Sequence, residues 1–229
     1  MAFQPIVDVR QREIIYYEAL VRGPNGESAF SILDQVTDDL LYRFDQACRI
    51  KAIELASDLG MRERLSINFL PNAVYEPEAC IQATLETANR VGWPTEQINF
   101  EITETERVND RLHMRSIIES YREMGFTTSL DDFGNGYANL DLLTDLRPDT
   151  LKIDRDLVMD CDSSNRRQAI LRSLVALAKT LGTQLIAEGV ETREESRCLL
   201  ALGIPMQQGY YFSYPNLEAL ADIDDAKYD

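Results

Sequence analysis

Residues 150–188, TLKIDRDLVMDCDSSNRRQAILRSLVALAKTLGTQLIAE, carry a strand, a helix and a second strand, and this stretch decides the fold class. The β-branched runs Thr150–Ile153 and Gln184–Ala187 read as strands. Between them Ile170, Leu174, Leu177 and Leu181 recur at helical spacing, which predicts a helix over Arg166–Leu181 with those four residues as its buried stripe. Gly182 stands where a glycine closes a helix. The same alternation runs outward in both directions. Strands are predicted at Phe3–Asp8, Ile14–Leu20, Arg64–Leu70, Gln97–Ile102, Thr127–Leu130 and Gln207–Phe212. Helices are predicted near Leu40–Leu59, Glu76–Val91, Glu106–Met124, Tyr137–Leu146 and Arg193–Leu202, and Gly60, Gly92, Gly125 and Gly203 follow four of them.

Strands that alternate with helices pair in parallel, and eight of them in one chain of 229 residues predict a closed (β/α)8 barrel. The first connection departs from that pattern. Only Val9–Glu13 separates strand one from strand two, too few residues for a parallel crossover but enough for a hairpin. The expectation is therefore an α/β, TIM-like barrel with one antiparallel strand. A single barrel domain should span residues 1–221, followed by an acidic, frayed tail over 222–229. Met1 lies almost directly against the first strand, as in a piece of a longer protein.

Composition excludes several classes of function. With 23 Lys and Arg against 39 Asp and Glu the net charge is −16, so a long nucleic acid, whose phosphates need clustered cations, is not an expected partner. The apolar fraction of 45% suits a packed domain rather than a disordered one. There is no apolar run of about 18 residues, so no membrane span is expected, and the N-terminus lacks the pattern of a secretory signal. Cys48, Cys80, Cys161 and Cys198 form no CxxC pair and read as reduced thiols of a cytoplasmic protein. One histidine, His113, cannot build a zinc site of two or three histidines, and no GxSxG elbow accompanies it; it reads as a solvated helix residue.

Active sites of such barrels lie at the C-terminal ends of the strands. Nearly every predicted strand delivers a polar residue there: Glu18 and Arg22, Asn68, Glu101 with Glu104, Asp131 and Asp132, Lys152 and Asp154, Glu188 with Glu191, and Gln207 with Gln208. Taken singly these have ordinary readings as caps, solvated charges or salt-bridge partners. Together, so many carboxylates at one rim require cations, and oxygen ligands without His or Cys favour Mg²⁺ or Mn²⁺ over zinc. Adjacent aspartates can serve two metals, and a pair about 3.5–4 Å apart is a common arrangement for phosphodiester hydrolysis.

The stretches FQPIVD, YEALVRG, SINFLP, FEITET, LDDFGNGYANL, DTLKID, IAEGVET and QGYYFSYP, in that order, resemble the EAL domain of bacterial cyclic di-GMP phosphodiesterases over essentially the whole chain. The resemblance implies a barrel with one antiparallel strand that hydrolyses cyclic di-GMP to linear 5'-pGpG. It implies two divalent cations, Mg²⁺ or Mn²⁺, with Ca²⁺ inhibitory, held by Glu18, Asn68, Glu101, Asp131, Asp132 and Glu188. Lys152, Glu188, Gln208 and Glu104 take catalytic or supporting roles, Glu104 as the anchor of the loop Asp132–Asn139. Gln4, Glu18, Leu20, Arg22, Asp154 and Phe212 fall on substrate contacts, the aromatic pair Tyr211–Phe212 beside a guanine. A homodimer through the helix after that loop, with Leu140, Leu142, Leu143 and Leu146, is also implied. Asn135, Ala138 and Asn139 replace residues usual in the family loop, and Tyr214 stands where Arg or Lys is frequent. Two rival readings are a catalytically weak receptor that binds cyclic di-GMP, and a barrel hydrolase acting on another phosphate ester. Product formation separates the first, and a substrate panel the second.

Overall fold

A computed structural model describes residues 1–70, 74, 77–103, 111–135 and 140–229. Strands β1 (Ala2–Asp8) and β2 (Glu13–Leu20) form the expected hairpin, with Gln4 opposite Glu18. Its turn is held by Asp8, whose Oδ1 accepts from the Arg10 and Gln11 amides at 2.8 and 3.0 Å, while Arg12 takes a positive φ of 60°. A short helix α1 (Ala29–Leu33) and the long α2 (Asp38–Asp58) lead to β3 (Arg64–Asn68). There follow α3 (Pro77–Val91), β4 (Ile98–Thr103), α4 (Arg111–Glu123), β5 (Thr127–Phe133), α5 (Leu140–Leu146) and β6 (Thr150–Ile153). The chain ends with α6 (Arg155–Val158), α7 (Asn165–Leu181), β7 (Gln184–Ala187), α8 (Arg193–Leu202), β8 (Met206–Gln207) and β9 (Asn216–Leu217).

Parallel pairing runs from β2 through β8, and β1 closes the barrel antiparallel to both β2 and β8. The predicted barrel with one antiparallel strand is thus present. A ninth strand, β9, lies against the start of β1, Ala2 opposite Leu217. Strand side chains alternate between the lumen and the helix layer. The main core fills the space between strands and helices, with Phe100, Tyr121 and Phe126 among its rings. A separate small cluster of Ile6, Tyr16, Ile186 and Met206 fills part of the lumen.

Four expectations need correction. The buried row of α7 is Leu171 and Ala178, with the expected Leu174 and Leu177, and Val175, packed beside them, whereas Ile170 and Leu181 are 46% and 51% exposed. This helix is apolar over two adjacent rows, and spacing alone does not say which row meets the sheet. The eighth strand, expected over Gln207–Phe212, is only Met206–Gln207. After Gln208 the chain folds onto the turn after β7, where Val190 N donates to Gln208 O and Tyr211 N to Val190 O, both at 3.0 Å. Gly209 permits this approach, since a Cβ there would lie 2.1 Å from Val190 O. The tail is not frayed: Asp225–Tyr228 forms a 3-10 turn with Tyr228 buried. Arg12 pairs with the Asp229 carboxylate at 2.9 Å, and Arg193 and Arg197 donate to Asp229 O at 3.1 and 2.7 Å. Three arginines therefore hold the acidic terminus in place. His113 is half-buried, its Nε2 donating to Val74 O at 2.5 Å, rather than solvated. The four cysteines are unpaired, and among the described residues no helix is long and apolar enough to cross a membrane.

Candidate active site

Lys152 on β6 is wholly buried at the centre of the C-terminal rim. Its ammonium lies 2.7 Å from Glu101 Oε2, 2.7 Å from Glu188 Oε1, 3.1 Å from Asp131 Oδ1 and 3.4 Å from Glu18 Oε2. Four strands thus converge on one cation. Burial works against that charge, but Asp131, Glu101, Glu18 and Glu188 outweigh it and hold the amine well above the usual lysine range.

The carboxylates are oriented individually. Glu18 Oε1 accepts from Asn68 Nδ2 at 3.0 Å and its Oε2 from Gln208 Nε2 at 2.7 Å. Burial pushes Glu18 up, yet Lys152 and those two amides together bring it below the ordinary value. Gln208 also reaches Gln4 Oε1 at 3.3 Å, and Gln4 donates to Ser213 O at 3.2 Å. Glu101 accepts from the Ser66 hydroxyl at Oε1 and from Lys152 at Oε2. Burial, opposed by Lys152 and reinforced by Glu18 and Asp131, raises Glu101 to about 8. Glu188 is raised well above the ordinary value by burial and Asp131.

Neighbouring strand residues point to opposite faces, so two adjacent aspartates share a site only where that alternation fails. It fails at Asp132. The β5–β6 register shifts between Leu130 and Phe133, and Asp132 adopts φ 57°, a left-handed conformation uncommon for a non-glycine residue. Asp132 therefore lines the cleft beside Glu188, and burial with Asp131 and Asp154 raises it to about 6.

Two carboxylate triads result, Glu18–Glu101–Asp131 and Asp131–Asp132–Glu188, each with ligand atoms within 4.8 Å of one another. They share Asp131. Raised acids around a single lysine mark a surplus of negative charge, and hard oxygen donors fit divalent cations in both triads. The buried Oε1 of Gln208 has no hydrogen-bond partner among the described residues.

A cleft of about 290 Å³ opens above the triads. The sequence-predicted residues that line it are Gln4, Glu18, Asp132, Asp154, Glu188, Glu191 and Gln208. Asp154 also caps α6, accepting from Asp156 N at 2.8 Å, and its other oxygen receives Asn135 Nδ2 at 3.4 Å. Asn68, Glu101, Asp131 and Lys152 are not among its lining residues. Leu20 and Arg22 are half-buried and line no part of it, and Arg22 donates to Val21 O at 2.7 Å. Phe212 is 6% exposed, inside the hydrophobic core and edge-on to Tyr211 at 5.0 Å between centroids. The aromatic wall of the cleft is instead Tyr210, stacked at 4.3 Å on the exposed Tyr214. Glu104 and residues 136–139 lie outside the described residues.

Sequence reading also missed Arg155, a cleft residue paired with Glu191 at 2.7 Å. A signal was present in Gly189: at φ 67° a Cβ there would lie 2.5 Å from the Arg155 Cβ.

Comparison with known proteins agrees with this arrangement. The EAL domain family matches residues 1–215. Among curated relatives, the blue light- and temperature-regulated antirepressor BluF of Escherichia coli is 33% identical over 97% of this chain and 55% of its own length. The cyclic di-GMP phosphodiesterase NbdA of Pseudomonas aeruginosa is 30% identical over 93% of this chain and 28% of its own length. The chain thus spans about half or less of these relatives. Among solved structures, a standalone versatile EAL protein from Vibrio cholerae in its c-di-GMP-bound form superposes with a TM-score of 0.96 at 48% identity, covering 100% of this chain and 97% of that one. The BlrP1 manganese/cy-diGMP complex of Klebsiella pneumoniae gives 0.91 at 35%, covering 97% and 57%.

Proposed function

The chain belongs to the EAL domain family, and on that premise we propose that it is a metal-dependent phosphodiesterase opening cyclic di-GMP to linear 5'-pGpG. The observation that carries this reading is the buried Lys152 set between two carboxylate triads that share Asp131. Two divalent cations, Mg²⁺ or Mn²⁺, held by Glu18, Asn68, Glu101, Asp131, Asp132 and Glu188, would offset the charge of the phosphodiester and acidify the attacking water. Ca²⁺, with its looser shell, would support binding better than turnover.

The chain's own residues do the rest. Lys152, set among four carboxylates, contacts and helps activate the attacking water. Glu188, half-buried and facing the cleft, is the group placed to receive a proton. Gln208 and Asn68 hold Glu18 in one orientation. Gln4, Asp154 and Arg155 offer hydrogen bonds to the nucleotide from the cleft walls, and Tyr210 offers a flat face to a base. Arg22 gives one N–H to Val21 O and has four more to offer a phosphate. Glu104 retains its role as loop anchor as part of this proposal.

Incubation with cyclic di-GMP and Mn²⁺, with products separated by chromatography, tests the reading. Linear pGpG is expected. Retained binding without product would make the chain a receptor, a role in keeping with an antirepressor among its relatives. We place the enzyme in the cytoplasm as a homodimer joined around α5 and residues 156–164. Leu142, Leu143 and Leu146 are buried there, but Leu140 is 57% exposed. Light scattering over a concentration series should show the dimer, and Leu140→Glu should dissociate it.

A further inference from the structure

We propose that Ser66, Asn99 and Ser129 form a positioning network that fixes the Glu101 carboxylate for cation binding, an inference that rests on the metal reading above. The three residues are buried in the lumen on adjacent strands β3, β4 and β5, with Ser66 opposite Asn99 and Ser129 opposite Glu101. A buried hydroxyl or amide is costly unless bonded, and the neighbouring part of the lumen is filled by Ile6, Tyr16, Ile186 and Met206 instead.

The bonds have a direction. Asn99 Nδ2 donates both of its protons, to Ser66 Oγ at 2.6 Å and to Ser129 Oγ at 2.8 Å. Ser66, already receiving one proton, donates its own to Glu101 Oε1. Lys152 takes Oε2 at 2.7 Å. The carboxylate is gripped at both oxygens, so it cannot rotate, and its remaining lone pairs are the ones left for ligands. Asn99 Oδ1 has no hydrogen-bond partner among the described residues, as expected if the amide is set by its donors. Ser66 and Asn99 act through Glu101 and are positioning residues.

The test is Mn²⁺ binding to the full chain, followed by electron paramagnetic resonance, with folding checked by thermal melts in EDTA. Groups that orient a metal ligand are typically worth about 10–100-fold in affinity. Ser66→Ala should weaken Mn²⁺ by that factor, and Ser66→Thr, which keeps the hydroxyl, should restore most of it. Half-maximal Mn²⁺ for turnover should rise in Ser66→Ala while KM for the dinucleotide stays fixed. A folded Ser66→Ala protein with unaltered Mn²⁺ affinity would overturn the network. If Ser66→Ala does not fold, Ser129→Ala decides, a smaller loss supporting the network and no loss overturning it. An unaltered chain that binds no Mn²⁺ would overturn the metal reading itself, a result distinct from the others.

Discussion

The lumen of this barrel has two unlike halves under one rim. Beneath Glu18 and Gln208, strands β1, β2, β7 and β8 close it with Ile6, Tyr16, Ile186 and Met206. Beneath Glu101, strands β3 to β5 close it with Ser66, Asn99 and Ser129, joined by hydrogen bonds. The first half holds the barrel together by apolar burial. The second holds one carboxylate in one orientation. The same alternating strand can thus supply stability or ligand geometry, depending on whether its buried atoms are apolar or bonded in a directed chain.

The largest expected effect falls where both halves meet, at Lys152. Lys152→Ala should lower turnover by about 10²–10⁴-fold, the range for a residue assisting proton transfer, with nucleotide affinity much less affected. Removing one partner of buried ion pairs costs about 3–5 kcal/mol, so the variant should also melt lower in EDTA and recover when a divalent cation is added. Near-normal turnover would reduce Lys152 to a structural counter-ion.

On the apolar half, Ile6→Ala should cost about 2–5 kcal/mol of stability by opening a cavity, with Mn²⁺ affinity unchanged. A denaturant melt beside a metal titration separates this from Ser66→Ala, for which the metal effect dominates. If Ile6→Ala weakens Mn²⁺ as much, the two halves are not functionally distinct.

Next is the cleft wall. Tyr210→Ala should weaken nucleotide binding by about 1–3 kcal/mol, the worth of one base stacked on an aromatic ring. Calorimetry on a metal-loaded, non-hydrolysing sample measures it. Phe212→Ala should instead destabilise the fold, because that ring lies in the core.

The two halves of the rim should also differ in how pH acts on the metal-free chain. In the folded, metal-free chain Glu101 rises from 4.5 to about 8 and Asp132 from 3.8 to about 6. Both bind protons more tightly folded than unfolded. Their contribution is full at pH values below the ordinary carboxylate range and is lost as pH climbs through those raised values. Metal-free protein should therefore melt lower at pH 8 than at pH 5, and Mn²⁺, which displaces those protons, should bind more tightly at pH 8. Melts at both pH values, with EDTA or Mn²⁺, check the signs.

Much of this was legible in the chain because strand ends repeat. Glu18, Asn68, Glu101, Asp131 and Lys152 each follow a recognisable β-branched run, and the short Val9–Glu13 link required the antiparallel strand. What escaped depends on contacts between distant segments. Asp132 was legible as a rim residue, but the register shift and left-handed backbone that turn it into the cleft carry no local pattern. Tyr210 replaces Phe212 at the wall because the chain after β8 folds onto Val190. Ser66, Asn99 and Ser129 look like ordinary small polar strand residues until their side chains are seen to meet.

The proposed hydrolysis depends on divalent cations bound at the triads that share Asp131. Its most direct test is a Mn²⁺ titration of EDTA-stripped protein, counting bound ions by electron paramagnetic resonance while pGpG formation is followed in the same samples. No pGpG is expected in EDTA, turnover should appear as two ions per chain fill, and both should be lost in Asp131→Asn. Undiminished conversion of cyclic di-GMP in excess EDTA would contradict it.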